Sequence, residues 1–322
     1  MAEVMIVGAG VVGQATGKGL AKKGHNVTFV DKNNLIVRSL EKQGYSALSS
    51  EKIDRINADI CMICVPTPTK EDGNTDLNDI ISAIINHAKW MNANEGRGNY
   101  HVVVIRSTVP PTTSQHILLP LLEKYSGLKA GKNFGLCMQP EFLRNASSDQ
   151  DFLKPRIVVI GELDKRSGDI IEKVYRDFSS EIVRVDLKTA EFMKYVHNCF
   201  NATKISFSNE MWLLGQKLGV DANLALQLAS SSAEGYWNPK YGIVGGSPYG
   251  GACLPKDVKS FLTFAKKINI ELPLLSAVLN VNEIIESFSE MNQVATPNIS
   301  HSKRKGEYYM TRRQEEENIA GI

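Results

Sequence analysis

Seven short apolar runs, rich in Val and Ile, punctuate the first 185 positions of the chain. They are EVMIV (3–7), NVTFV (26–30), DICMICV (59–65), HVVVI (101–105), FGLCM (134–138), RIVVI (156–160) and EIVRV (181–185). Amphipathic stretches of helical length lie between most of them, 76–91 and 164–178 among them. Strands that are apolar on nearly every residue fit burial on both faces, and a helix after each strand makes the crossover that parallel strands need. Residues 1–185 are therefore expected to form an α/β domain, a parallel sheet with helices on both faces.

The pattern changes at about residue 186. LKTAEFMKYVHNCFNATKISFSNEMWLLGQKLG has no Pro and no Gly before Gly215, and its apolar residues recur at helical spacing. One long helix ending at Gly219 is expected, then a shorter helix N-capped by Asp221. A Gly/Pro/Tyr-rich loop follows over 234–252, then a helix opening at Pro255, then LPLLSAVLNVNEIIESF. Residues 186–290 read as a small all-helical domain built on one long helix, whose length and apolarity suit a shared face in a homodimer. The segment 291–322 has a basic cluster, an acidic cluster and little to bury, and is expected to be a flexible polar tail.

Composition narrows the partners. Of 322 residues 37 are basic and 35 acidic, a formal charge of +2 that favours neither nucleic acid nor an anionic membrane. No apolar run approaches the roughly 20 residues that span a bilayer. The start, MAEVMIVGAG, lacks the basic region of a secretion signal. Five cysteines at irregular spacing make no disulfide framework, which points to a reducing, cytoplasmic setting. The C-x-x-C at Cys61 and Cys64 lies within a strand, where positions i and i+3 face opposite sides, so both read as small core residues and no metal site is expected.

The first constellation is VMIVGAGVVGQATGKGLAKKG, in which Gly8, Gly10 and Gly13 form G-x-G-x-x-G between a strand and a helix. This is the context of a Rossmann-type dinucleotide site. Gly8 permits the tight turn, Gly10 lets backbone N–H groups reach a pyrophosphate, and Gly13 allows close helix–strand packing. Asp31 ends the next strand, 18 residues after Gly13, where a carboxylate accepts from the adenosine ribose and repels a 2′-phosphate, favouring NAD. CVPTP (64–68) and RSTVPP (106–111) follow the third and fourth runs. Thr67, Ser107 and Thr108 thus stand at carboxyl ends of strands, where ligands bind, although turn chemistry alone also accounts for them.

The second constellation is YGGACLPKD, 249–257. With Pro255 at the first helical position, Leu254 is the N-cap and Cys253 stands one residue before it. The helix N-terminus and Lys256 favour the thiolate. Gly250 and Gly251 leave room for a substrate against the backbone, and Asp257 sits in the first turn. On the long helix Lys194 and Asn198 are four apart and share a face, suited to proton transfer or to holding an oxyanion. Glu141, in MQPEFLRNAS, follows a strand end and is a candidate base toward water. Each of these has a plain structural alternative: a packed thiol, a surface lysine, an ion-paired glutamate.

Taken together, GAGVVG, VPTP, STVP, PEFLR, AEFMKYVHNCFNATKISFSNE and GGACLPKD resemble the UDP-glucose/GDP-mannose dehydrogenase family, in its order and spacing, from residue 1 to about 285. The resemblance implies oxidation of a nucleotide-sugar primary alcohol to a carboxylate with two NAD, UDP-glucose first and GDP-mannose close behind. It implies a Cys253 thiohemiacetal and thioester, Lys194 and Asp257 assisting through water, Asn198 and Lys194 on the oxyanion, Thr108 positioning water and Glu141 activating it. It also implies that Val11 and Val12 join the cofactor contacts, and that Phe142, Leu143, Tyr249 and Gly250 join Glu141, Lys194 and Asn198 on the substrate. Three departures stand out. Asn145 replaces a common glutamate, the loop SAEGYWNPKYGIVGGSPYGG lacks an arginine often offered across the dimer, and the third, nucleotide-holding domain is expected to be missing. A β-hydroxyacid or 6-phosphogluconate-like dehydrogenase shares the glycine fingerprint and the K-x-x-x-N helix but needs no thiol. A truncated, non-catalytic NAD-binding partner is the third reading.

Overall fold

A computed structural model describes residues 1–54, 58–92 and 100–294. The chain divides into two compact units, 1–201 and 202–322. Most of the expected tail, 291–322, lies outside the described residues.

The first unit alternates strand and helix. Its elements are β1 (Glu3–Val7), α1 (Val11–Lys22), β2 (Asn26–Asp31), α2 (Asn34–Lys42), β3 (Ser46–Ser49), β4 (Ile60–Ile63), α3 (Asn78–Asn92), β5 (His101–Ile105), α4 (Leu119–Ser126), β6 (Phe134–Met138), α5 (Ser148–Leu153), β7 (Ile157–Glu162), α6 (Lys165–Tyr175) and β8 (Glu181–Asp186). The strands form one sheet in the order β3-β2-β1-β4-β5-β6-β7-β8. The chain starts in the middle and winds outward both ways, so β1 and β4 flank the switch point where open α/β sheets bind ligands.

Two features depart from the sequence reading. β3 was not among the expected strands: SALS is short, half polar and at the sheet edge, so it carries no apolar run. The sheet is also not wholly parallel. β7 pairs antiparallel with β6 through Cys137↔Glu162 and Met138↔Gly161, while β8 runs parallel to β7. A buried strand's composition is the same whichever way it runs, so the reversal has no local signature.

The core lies on both faces of the sheet. Met5, Val7, Cys61, Ile63, Val103 and Ile105 pack on one side; Val4, Ile6, Ile60, Met62, Cys64, Val102 and Val104 pack on the other. Alternate residues of each strand serve opposite layers. Cys61 and Cys64 fall in different layers and are both buried, as core residues rather than a pair. Burial pushes the Cys64 thiol up to about 12 and Cys61 also upward, which keeps both protonated and inert.

The long helix α7 (Leu187–Leu218) stops before Gly219, as its sequence indicates. In the second unit α8 (Ala222–Ser232) is capped by Asp221, whose carboxylate accepts from the Leu224 N–H at 3.0 Å. The short α9 (Glu234–Trp237), α10 (Leu254–Lys267) and α11 (Pro273–Val294) complete it. Buried Leu214, Ala265 and Leu272 make its small core. The carboxylate of Glu210 on α7 accepts from Leu274 and Leu275 at 2.7 and 3.0 Å, satisfying two orphan N–H groups of α11. No described helix is long and apolar enough to cross a membrane.

Candidate active site

A cleft of about 770 Å³ opens at the carboxyl ends of β1, β2, β4 and β5. Gly8, Gly10, Val11, Val12, Asp31, Thr67, Ser107, Thr108 and Glu141 line it. All the expected cofactor residues except Gly13 therefore meet in one cavity. Gly13 lies beneath it, and a Cβ there would stand 1.9 Å from the Gly8 carbonyl oxygen, so only glycine lets α1 pack this close to the turn. Gly8 has φ of 90°, a conformation open to glycine, and its N–H donates to Val30 at 2.8 Å.

The local structure fits a dinucleotide. A Cβ at Gly10 would meet nothing within 4 Å, so the backbone at the start of α1 is bare toward the cleft. The first N–H groups of that helix are free to meet a phosphate. Asp31 accepts from the N–H of Ala9 at 2.7 Å and from Asn33 at 2.8 Å, which fixes its carboxylate beside the glycine turn. Each carboxylate oxygen retains a lone pair for a ribose hydroxyl.

The two polar turns are tied together. Thr67 Oγ1 donates to the Thr108 carbonyl at 2.6 Å and Ser107 Oγ donates to the Val65 carbonyl at 2.6 Å. Ser107 and Thr67 thus spend their hydroxyl protons on the scaffold and can offer a ligand only lone pairs. Arg106 was not singled out from the sequence. It is buried, and its Nη1 donates to Gln139 Oε1 at 2.6 Å, which also accepts from Tyr175. Arg106 and Glu141 line both the cleft and a second cavity of about 560 Å³ bounded by Gln139, Phe142, Leu143 and His197.

Glu141 and Lys194 meet directly. Lys194 Nζ lies 3.0 Å from Glu141 Oε1 and also donates to the Glu141 carbonyl oxygen, with both side chains nearly buried. Glu141 Oε2 accepts from the Leu143 N–H at 2.7 Å, which folds PEFL into a tight turn. The Phe142 ring lies 5.5 Å from Lys194 Nζ and 4.7 Å from the His197 ring. Lys194 is thus an ion-paired group rather than the solvated lysine of the plain alternative. Asn198, one turn on, is exposed, its Oδ1 3.1 Å from His197 Nδ1.

In the second unit the start of α10 corrects the expectation by one residue. Leu254 is already helical and Cys253, not Leu254, is the N-cap. Proline lacks an N–H, so it is tolerated anywhere in the first turn, and here it takes the second helical position rather than the first. Cys253 is exposed, and its carbonyl accepts the first helical bond, from Asp257 at 2.8 Å. Lys256 Nζ pairs with Asp257 Oδ1 at 2.7 Å, so its charge is directed to that neighbour. Tyr249 is clamped by buried Asn282 on α11: its N–H donates to Asn282 Oδ1 at 2.7 Å and its carbonyl accepts from Asn282 Nδ2 at 3.2 Å. Gly250, next to it, has open space where a Cβ would stand. Asn282 had no signal in the sequence, since a polar residue in an amphipathic helix looks like a surface one.

Comparison with known proteins adds a family. The model for the NAD-binding domain of the UDP-glucose/GDP-mannose dehydrogenase family matches residues 46–179, and that for its central domain matches 188–284. A ketopantoate reductase model matches residues 4–78. GDP-mannose 6-dehydrogenase of Pseudomonas aeruginosa is 32% identical over 324 residues, covering 94% of this chain and 72% of that protein. UDP-glucose 6-dehydrogenase of Rickettsia bellii is 33% identical, covering 87% of this chain and 66% of that protein. Among solved structures, a ternary complex of GDP-mannose dehydrogenase from Pseudomonas aeruginosa superposes with a TM-score of 0.82 at 30% identity, over 92% of this chain and 72% of that one. A UDP-glucose dehydrogenase from Pyrobaculum islandicum gives 0.67 at 30% identity, with the same coverage.

Proposed function

Because the chain belongs to the UDP-glucose/GDP-mannose dehydrogenase family and is an NAD-dependent oxidoreductase, we propose that it oxidises the primary alcohol of a nucleotide sugar to the carboxylate. Residues 1–185 hold NAD and 186–290 carry the thiol. When bound, NAD would supply a hydride acceptor, one molecule for each of the two oxidations. Gly8, Gly10, Val11 and Val12 hold its pyrophosphate region, Asp31 its adenosine ribose, and Thr67, Ser107 and Thr108 its other half.

Cys253 is the observation that carries the reading: an exposed thiol at the N-cap of a 14-residue helix, its own side chain making no capping hydrogen bond among the described residues. A thiol reacts with a carbonyl carbon through its sulfur anion, and here that sulfur is open to solvent. In the first oxidation the alcohol proton leaves through water, assisted by Lys194 and Asp257, and an aldehyde remains. The thiolate adds to the aldehyde carbon, and Lys194 and Asn198 hold the oxygen of the thiohemiacetal. The second oxidation turns that adduct into a thioester. Water, positioned by Thr108 and deprotonated near Glu141, attacks the thioester carbon and the sulfur leaves as thiolate, regenerating the group that began. Phe142, Leu143, Tyr249 and Gly250 bound the sugar.

GDP-mannose is the first substrate to test and UDP-glucose the second, an order supported by the GDP-mannose 6-dehydrogenases among the relatives and by the higher TM-score. A homodimer through α7 is supported by exposed Phe192, Val196 and Phe200, which recur every four residues on it. The test of function is incubation with NAD and a panel of GDP- and UDP-sugars while following NADH absorbance. A rise with one sugar supports the reading. No rise with any, alongside NAD binding, favours a non-catalytic partner. Full net oxidation by Cys253→Ala favours a β-hydroxyacid type of dehydrogenase.

A further inference from the structure

We infer that Glu191 is a positioning residue that sets the Ser107–Thr108 turn for the nicotinamide half of the cofactor. This rests on the cleft being the NAD site. Glu191 lies on α7, three residues before Lys194, and its accessibility is 0%. Its Oε2 accepts from the Thr112 N–H at 2.5 Å and its Oε1 from the Ser114 N–H at 2.7 Å. Among the described residues no cation pairs with it. A buried carboxylate without a counter-charge is costly, and these two amides at the head of the helical run from Ser114 to Ser126 are what compensate it.

The clamp acts on an unusual backbone. Thr112 has φ of 78°, a region that β-branched residues rarely enter. Strain of this kind persists only where surrounding bonds hold it. Between Thr108 and Thr112 lie only Val109, Pro110 and Pro111, and proline fixes φ at two of the three. A movement of Thr112 is therefore passed to Thr108. On its other side the turn is bound to Val65 and Thr67. Glu191 thus closes one end of a stiff connection whose other end lines the cleft. The sheet order sets Ser107–Thr108, after β5, across β1 and β4 from Asp31, after β2. In a doubly wound sheet the two nucleotide halves lie on opposite sides of the switch point. A disturbance at Glu191 reaches the half away from Asp31.

The experiment is fluorescence titration of NADH, and calorimetric titration of ADP, on the 322-residue protein and its variants. Glu191→Gln keeps the size but turns an amide N–H donor toward one of the two N–H groups. NADH affinity is expected to fall by about tenfold and ADP affinity to hold within about twofold. Glu191→Asp keeps the charge and is expected to fall between, which gives a reading if the glutamine variant does not fold. Thr112→Gly removes the strain at positive φ, so added to Glu191→Gln it is expected to restore part of the NADH affinity. Equal losses for NADH and ADP, or unchanged NADH affinity, overturn the inference. Wild-type protein that binds neither ligand overturns the cofactor reading itself.

Discussion

Lys194 and Glu141 are joined at 3.0 Å across 53 residues of sequence, with 7% and 12% of their side chains exposed. The pair ties the first turns of α7 to the loop after β6. Removing one member of a buried pair leaves the other as an uncompensated charge. Lys194→Met is expected to destabilise the protein by about 3–5 kcal/mol and to abolish turnover. The double variant Lys194→Met/Glu141→Leu should recover much of the stability and none of the activity. Urea denaturation midpoints and NADH formation check this, and a double variant less stable than the single would contradict it.

The glycine turn separates two kinds of damage. At Gly13 a Cβ collides with the Gly8 carbonyl, whereas at Gly10 it meets nothing. Gly13→Ala should cost about 1–3 kcal/mol of stability as well as NAD affinity. Gly10→Ala should leave stability within about 0.5 kcal/mol of wild type, since it makes no internal contact, yet weaken NAD where the new methyl faces the cleft. Thermal melts with and without NAD distinguish them. A Gly10→Ala protein that binds NAD normally would argue that the pyrophosphate lies elsewhere.

A pair of histidines, His87 buried and His101 partly buried, predicts acid sensitivity. His101 Nδ1 must donate to the Ala58 carbonyl, 2.9 Å away, so its Nε2 accepts from His87 Nε2 at 3.0 Å. His87 Nδ1 is then a bare lone pair, in keeping with its having no partner among the described residues. Burial holds His101 down to about 4 from the ordinary 6.5 and lowers His87 as well. The folded state keeps both neutral, while the unfolded chain takes up protons below 6.5. Their contribution is complete above pH 6.5 and is lost as pH falls toward about 4, by about 3 kcal/mol for His101 alone. Denaturant titrations from neutral pH to about pH 5, above the ordinary carboxylate range, should show this fall, with a shallower slope in His101→Leu. A flat profile in the wild type would contradict it.

What the sequence made visible follows from what each residue must satisfy locally. Strands buried on both faces had to be apolar on nearly every residue, so EVMIV, HVVVI and FGLCM gave β1, β5 and β6 to the residue. Asp221 caps α8 within three residues, so its role was also local. The glycine turn, Asp31 and the two Ser/Thr turns come together because all of them end strands of one sheet. The rest depended on distant partners. The reversal of β7, the edge strand β3, the Lys194–Glu141 pair, the clamp from Glu191 to Thr112 and that from Asn282 to Tyr249 join residues remote in sequence, and nothing in their neighbours announces them.

The most direct test of the proposed chemistry is the number of NADH formed per nucleotide sugar consumed, measured with GDP-mannose and then UDP-glucose, for the wild type and Cys253→Ala. A thiol that carries the aldehyde to a thioester commits each sugar to both oxidations, so the wild type should give two NADH per sugar and the variant should fail to reach the carboxylate. A ratio of one in the wild type, or a ratio of two that survives the loss of the Cys253 sulfur, would contradict the account.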